Sequence, residues 1–468
     1  MPSWLVAPTK LRLVFAVFAA TILLSECDNP RESPVAPRGR LAKHVAALRA
    51  ANPARSITTP DDLNDSIAAH VPGFGGFYVD EAGKLVVWSQ DTTRGSEIRG
   101  WIHHFVAGAD RPERALVVRR AAYDVRDLRN WRWKLENMLA DGDWQAADVD
   151  EQTNRVFIGV GNAGAAERVV AELAAAGVPS GAVDVGVVTT SLTQTPDNRF
   201  LTSGVRPVPG GVGLGDFQYG LGGCSFGFLA RPDTGSNDIV TQYYGVGASH
   251  CTATLDANDH KAWWQYEDLL LNESYEAPFT STLTYRTCPT GKTCRYADAV
   301  LYTVPSSFTN LAWGKIVSTT DSTYLYTGGA AGTTVDTTVK PYRSTSIRAE
   351  TTMGSFYVGF PVNKVGIGSG HTYGPIHRTC VDVPPFNPDG TTRQNSRYVC
   401  QMWADAYVYG GDSGAPVWYS APSGVNILLG IVWAQTADST GLYMEFSPID
   451  GVHFDLGPFA TFPGGSIY

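Results

Sequence analysis

A single hydroxyl stands between glycines in Gly411-Asp412-Ser413-Gly414-Ala415-Pro416-Val417, where the backbone can turn sharply and approach a ligand closely. That setting suits an activated serine. Apolar runs from Trp403 to Tyr409 and from Val417 to Tyr419 flank the turn, so a rigid sheet edge presenting Ser413 on a loop is expected. A serine hydroxyl is a weak nucleophile until a base lies within hydrogen-bond reach, and the base needs an orienting acid. Among the nine histidines, His250 in Ala248-Ser249-His250-Cys251 follows a β-like run and is the base candidate. Asp298 lies in the apolar run Tyr296-Ala297-Asp298-Ala299-Val300-Leu301-Tyr302, where an ionised carboxylate is costly unless something pairs with it. An imidazolium is its natural partner. Together the three would perform acyl transfer.

In their order His, Asp, Ser, these motifs resemble the chymotrypsin-like serine proteases, most closely the bacterial secreted branch that includes the streptogrisins and α-lytic protease. The resemblance runs from about Val205 to the C-terminus and includes Cys224-Ser225-Phe226-Gly227-Phe228, similar to the family's first barrel strand with its half-cystine. It implies an all-β catalytic domain over 205–468, built of two antiparallel six-stranded β-barrels. His250 and Asp298 would lie in the first barrel, Ser413 in the second, and the site in the crevice between them.

Further roles follow from the same resemblance. The N–H groups of Gly411 and Ser413 would form the oxyanion hole, and Asp412 would be buried and paired, locking the loop. Trp433, Ala434 and Gln435 fall on the substrate-binding strand, and Tyr407, six residues before Ser413, falls at the base of the primary specificity pocket. Tyr407 carries no charge, so a trypsin-like preference is unsupported and an apolar or aromatic side chain is expected there. Trp433 stands where a serine supporting the aspartate would be expected. Either the register differs by a residue or Asp298 is supported otherwise.

The chain has 468 residues and a net charge of −9, length enough for two or three domains, and no basic stripe. Nucleic-acid binding is therefore not expected. Charged residues thin out after Val205 while Gly, Thr, Ser and Tyr rise, so two differently built modules are implied. Lys10 and Arg12 precede an apolar run from Leu13 to Leu24, too short to span a bilayer but suited to a secretory signal over 1–27. Leu24-Ser25-Glu26-Cys27 resembles a lipoprotein processing site, with Glu26 where a small residue is usual. Release from the cell is expected, with a lipid anchor at Cys27 on the envelope as the alternative.

Six of the seven cysteines lie after Val205, and none has zinc- or redox-type Cys-x-x-Cys spacing, which agrees with an oxidising destination and three disulfides. Spacing alone leaves the pairing open. The family resemblance favours Cys224 with Cys251, after which Cys288 with Cys294 and Cys380 with Cys400 follow as local loops. No metal cluster or phosphate-binding loop is evident, so no cofactor is expected.

Residues 28–40 are rich in Pro, Arg and Glu and read as a linker. From 41 to 204 the pattern is mixed α+β. A helix is expected over Leu41 to Ala51, and another from Thr59-Pro60-Asp61-Asp62 to about His70. A hairpin follows around Gly83, then a long helical stretch from about Arg111 to Leu139. A second hairpin, Ala147 to Asp150 with Arg155 to Val160, precedes a helix over Ala165 to Ala176. This segment is similar to the family's pro-region, which assists folding and then inhibits the enzyme.

The function expected is a secreted, monomeric serine endopeptidase made as a zymogen, with protein or peptide substrates and its own pro-region as partners. The alternative is a catalytically silent, protease-like binding protein of the cell surface. An esterase is disfavoured, since the Gly-x-Ser-x-Gly elbow and a following helix are missing.

Overall fold

The computed structural model describes residues 59–106, 114–139, 142–191, 201, 206–216, 220–232, 243–252, 254–258, 262–265, 269–283, 286–318, 343–387, 389–457 and 459–463. The expected signal, Cys27, the linker and the 41–51 helix lie outside the described residues.

Local signals set the N-terminal elements. Helix α1, Pro60–His70, begins at Thr59, whose side chain accepts from Asp62 N–H while the Asp62 carboxyl accepts from Thr59 N–H, a reciprocal cap. Strands β1 (Phe74–Val79) and β2 (Leu85–Ser89) form the antiparallel hairpin around Gly83, and helix α2 is Gly95–Phe105. The expected long helix from Arg111 to Leu139 requires correction. Leu116–Arg120 is a strand, β3, parallel to β2, and helix α3, Val125–Met138, starts only at the Asp124 cap. The β-branched pair Val117-Val118 and an open edge on β2 override helical periodicity there.

Strands β4 (Ala146–Asp150) and β5 (Arg155–Val160) form the second hairpin, with Asn154 at φ 54° in its turn. Helix α4 (Ala163–Ala175) ends at Gly177 and leads to β6 (Val183–Val187) and β7 (Thr189–Ser191).

The remainder is nearly all β. In chain order come β8 (Val208–Gly210), β9 (Gly213–Asp216), β10 (Gly220–Ser225), β11 (Phe228–Pro232), β12 (Tyr244–Gly247), β13 (Ala262–Gln265), β14 (Leu269–Glu276), β15 (Thr293–Arg295) and β16 (Val300–Thr303). They are followed by β17 (Leu311–Ser318), β18 (Arg343–Glu350), β19 (Pro361–Gly366), β20 (Gly370–Val383), β21 (Ser396–Ala404), β22 (Pro416–Ser420), β23 (Asn426–Ala437) and β24 (Leu442–Pro448). Helix α5 (Ile449–Leu456) and β25 (Phe459–Ala460) close the chain.

Two sheet systems result. The first runs β10-β9-β13-β14-β16-β12-β11-β25, with antiparallel neighbours. The second runs β15-β21-β24-β23-β22-β19-β20 and continues through β4 and β5 to β6. Val246, Leu301, Phe226 and Ile431 share one core, while Met402, Val432, Met444 and Phe446 share another on the inner face of the second sheet. Each fully buried side chain of this size contributes about 1.5–3 kcal/mol.

The α+β segment is joined to the second sheet by main-chain and side-chain contacts. Asp382 pairs with Ala147, and Ala146, Phe157 and Val188 pack with Val381, Tyr398, Trp403 and Tyr443. Arg132 on α3 bridges Asp61, Glu136 and, at 2.8 Å, Asp382. Arg378 bonds Asp150 at 2.8 Å and lies over the Phe157 ring.

Candidate active site

Each candidate side chain is held by a different loop. His250 sits on a single 3₁₀ turn, Ser249–Cys251, directly after β12. A disulfide from Cys251 to Cys224, at the end of β10, ties that turn to the first sheet. Asp298 lies between β15 and β16, and Ser413 lies in the turn between β21 and β22. At Gly411 (φ 98°) and Gly414 (φ 87°) the turn uses backbone that L-residues avoid. A Cβ on Gly414 would meet Ser225 O at 2.3 Å.

The three side chains converge. His250 Nε2 is 2.8 Å from Ser413 Oγ, and His250 Nδ1 is hydrogen-bonded to Asp298 Oδ2. His250 N–H donates to Asp298 Oδ1 at 3.0 Å. Burial pushes the Asp298 carboxyl up, but the His250 ring, the Arg295 guanidinium and the Ser249 hydroxyl overcome it and hold it at about 2. Asp298 is thus ionised at neutral pH, and its bond to Nδ1 directs the other ring nitrogen, as an acceptor, toward the serine hydroxyl. This arrangement can withdraw the Ser413 proton as its oxygen attacks a carbonyl.

The absent serine at Trp433 has a physical answer. The β23–β24 register shifts between Val432 and Ala434, a bulge that turns Trp433 into the aromatic cluster with Tyr398 and Phe386. Ser249, next to the histidine, donates to Asp298 instead and is itself held by Arg295. Arg295 is anchored by the Ala297 and Ala277 carbonyls, and Ser447 Oγ accepts from Asp298 N–H at 3.0 Å. Sequence reasoning passed over Ser249, Arg295 and Ser447. The adjacency Ser249-His250 and the basic residue three before Asp298 were the available signals.

Asp412 is wholly buried. Its carboxyl takes bonds from Lys364 Nζ at 2.6 Å, from the N–H groups of Gly368 and Tyr409, and from Ser369 Oγ. Ser225, on the first sheet, donates its hydroxyl to Gly411 O and its N–H to Ser413 O, pinning the turn from the other side. With the loop so fixed, neither Gly411 N–H nor Ser413 N–H donates to an acceptor among the described residues. Both are available to a developing oxyanion.

Ser413 Oγ also approaches Trp433 O at 3.4 Å. Beyond it, Gln435 Nε2 donates to Val408 O at 2.8 Å, linking β23 to the segment before the serine. Tyr407 is half-buried, and its carbonyl is held by Thr372 Oγ1 at 2.6 Å. Strand β7 lies antiparallel on β23, with Ser191 opposite Gln435 and Thr189 opposite Ala437. The disulfides Cys288–Cys294 and Cys380–Cys400 lie in the second core.

Comparisons with known proteins find distant likenesses among solved structures. No family model matches the sequence, and no curated protein matches it. Among solved structures, protease A of Thermobifida fusca is 18% identical, with a TM-score of 0.32, covering 53% of this chain and 94% of its own. A Nocardiopsis protease is 16% identical, with a TM-score of 0.32 and coverages of 53% and 94%. A Cellulomonas bogoriensis chymotrypsin is 16% identical, with a TM-score of 0.31 and coverages of 53% and 93%. This chain's fold is chymotrypsin-like, as its own antiparallel sheets, the Cys224–Cys251 link and the placement of His250 and Ser413 on different sheets describe it.

Proposed function

We propose that the protein is a serine endopeptidase made as a latent precursor. Ser413 attacks the scissile carbonyl, and His250 takes its proton and returns it to the leaving amine. Asp298 holds the imidazole and stabilises its charge, and the Gly411 and Ser413 N–H groups receive the oxyanion. The observation that carries this reading is the continuous chain Ser413 Oγ, His250 Nε2, His250 Nδ1, Asp298, with the two turn amides unspent.

The substrate is an extended peptide laid on β23. Gly414 N–H bonds Val432 O and Ser413 Oγ faces Trp433 O, so the serine sits on one edge of β23. Strand β24 takes the opposite edge. The stretch from Gln435 to Ala437 prolongs the serine's edge, and β7 occupies it, with its C-terminal end directed toward Ser413. An acyl-side peptide would pair in this way. Residues 41–204 therefore act as a pro-region that occupies the groove of the 205–468 enzyme, and maturation removes them. Three disulfides fit an oxidising, extracellular destination, and no described helix is long and apolar enough to cross a membrane.

The test is labelling by a fluorophosphonate together with digestion of a peptide library. Ser413→Ala should abolish both while leaving the melting temperature unchanged. Retained turnover would exclude the assignment, and a protein that never labels, even after the N-terminal segment is removed, would be a silent binding fold.

A further inference from the structure

Glu445 stands unused by the chemistry above, yet it is fully buried one strand away from the groove, opposite Ala434 across the β23–β24 pair. Its Oε1 accepts the Thr436 hydroxyl at 2.7 Å, and the Trp403 indole N–H also donates to the carboxyl. Thr436 Oγ1 is in turn 2.8 Å from Thr190 Oγ1, the side chain that β7 places opposite it. Burial pushes the Glu445 carboxyl up to about 8, against the Thr436 and Trp403 bonds that lower it. The ionised carboxylate can only accept, and Thr436 is then its donor.

The direction of this chain has a consequence for recognition. A hydroxyl carries one proton. When Thr436 gives that proton to Glu445, only its lone pairs remain for the strand lying on β23, and Thr190 must be the donor. A hydroxyl or ammonium satisfies the arrangement. A carboxylate in the same place would face a lone pair and a buried acid, and an aliphatic group would leave the Thr436 oxygen unpaired.

We propose that Thr436 and Glu445 form a specificity-determining pair that selects a hydrogen-bond-donating side chain, hydroxyl or ammonium, in the acyl-side segment of the bound peptide, with Thr190 as its occupant in this chain. The inference rests on the peptidase reading and extends it to a substrate class.

Two measurements test it. The first takes the processed enzyme released from the full chain and peptides that differ only at the residue opposite Thr436. Thr and Lys peptides should exceed Val and Asp peptides in kcat/KM by about tenfold, the worth of one buried hydrogen bond. Thr436→Val should level that ratio, with the Val peptide raised because it no longer leaves a buried oxygen unpaired. Glu445→Gln presents an amide that can donate to Thr436, frees the Thr436 proton, and should raise the Asp peptide relative to Thr. A flat preference in the unaltered enzyme overturns the proposal. The second needs no catalysis. In the full chain carrying Ser413→Ala, amide exchange at Gln435 to Ala437 should quicken with Thr190→Val and more with Thr190→Asp, but not with Thr190→Ser. Equal exchange in all of them overturns the proposal, and the predicted order sustains it even if no peptide is ever cleaved, which would count against the peptidase reading alone.

Discussion

Lys364 Nζ lies 2.6 Å from Asp412 Oδ2, with both side chains inaccessible to solvent. Burial lowers the lysine's affinity for its proton and the adjacent carboxylate raises it. An internal cation thus neutralises the acid beside the nucleophile, and it comes from β19, which pairs with β22 just beyond the serine turn. Lys364→Met would leave Asp412 buried without its counter-charge, which costs about 3–5 kcal/mol. The expected outcome is a lower urea midpoint and lost fluorophosphonate labelling. Adding Asp412→Asn to that variant should restore much of the midpoint but not the labelling rate, because the asparagine cannot accept all the bonds that shape the turn.

The contact between the α+β segment and the second sheet should weaken as pH rises. Burial pushes Glu136 and Asp148 each up to about 7. Arg132, Asp382 and Arg286 surround Glu136, whereas Arg378, Arg132, Asp150 and Asp61 surround Asp148. The unfolded chain releases these protons near pH 4, while the folded one keeps them to about 7. Their contribution is therefore whole below about pH 4, declines across the window, and is gone above about 7. Melting temperature should fall from pH 5 to pH 8, and Asp148→Asn should flatten the slope. A melt that rises over that interval would contradict the ionisation states inferred here.

Ser249→Ala removes one of the donors that hold Asp298 at about 2 rather than its ordinary 3.8. A bond to a charged group contributes about 1.5–3 kcal/mol. We expect kcat/KM to drop by about 10- to 100-fold, mostly in kcat, with the fold intact. Because the carboxyl's pKa is depressed on folding, it stabilises the protein above about pH 4 and loses that effect as pH falls toward 2. In the variant the acid-side loss should begin at higher pH, measurable as an earlier acid unfolding midpoint.

The site was legible where chemistry demands particular residue types in local motifs, as at Ser413 and His250, and where a carboxylate interrupts an apolar run, as at Asp298. The paired cap Thr59 and Asp62 likewise marked α1 because its partners are three residues apart. What escaped depends on residues brought together from afar. Lys364 meets Asp412 across 48 positions and Ser225 meets Gly411 across 186, and nothing in a linear pattern pairs them. The strand Leu116–Arg120 was hidden for the same reason, since its partner β2 lies beyond α2. Trp433 misled because one bulge reverses the facing of a side chain.

Thr190→Pro offers the most direct approach to latency. Proline lacks the N–H and fixes φ, so at the centre of β7 it disfavours the pairing of that strand with β23. The change lies on a three-residue strand that is half-exposed at this position, so the cores of both sheets should survive it. If β7 blocks the edge that leads to Ser413, the full-length variant should label with a fluorophosphonate faster than the unaltered precursor. It should also cut a small peptide without prior removal of residues 41–204. Thr190→Ser, which keeps both the amide and the hydroxyl, should remain as slow as the parent. Identical labelling rates for the proline and serine variants would show that the groove is open with β7 in place, and latency would then have to arise elsewhere.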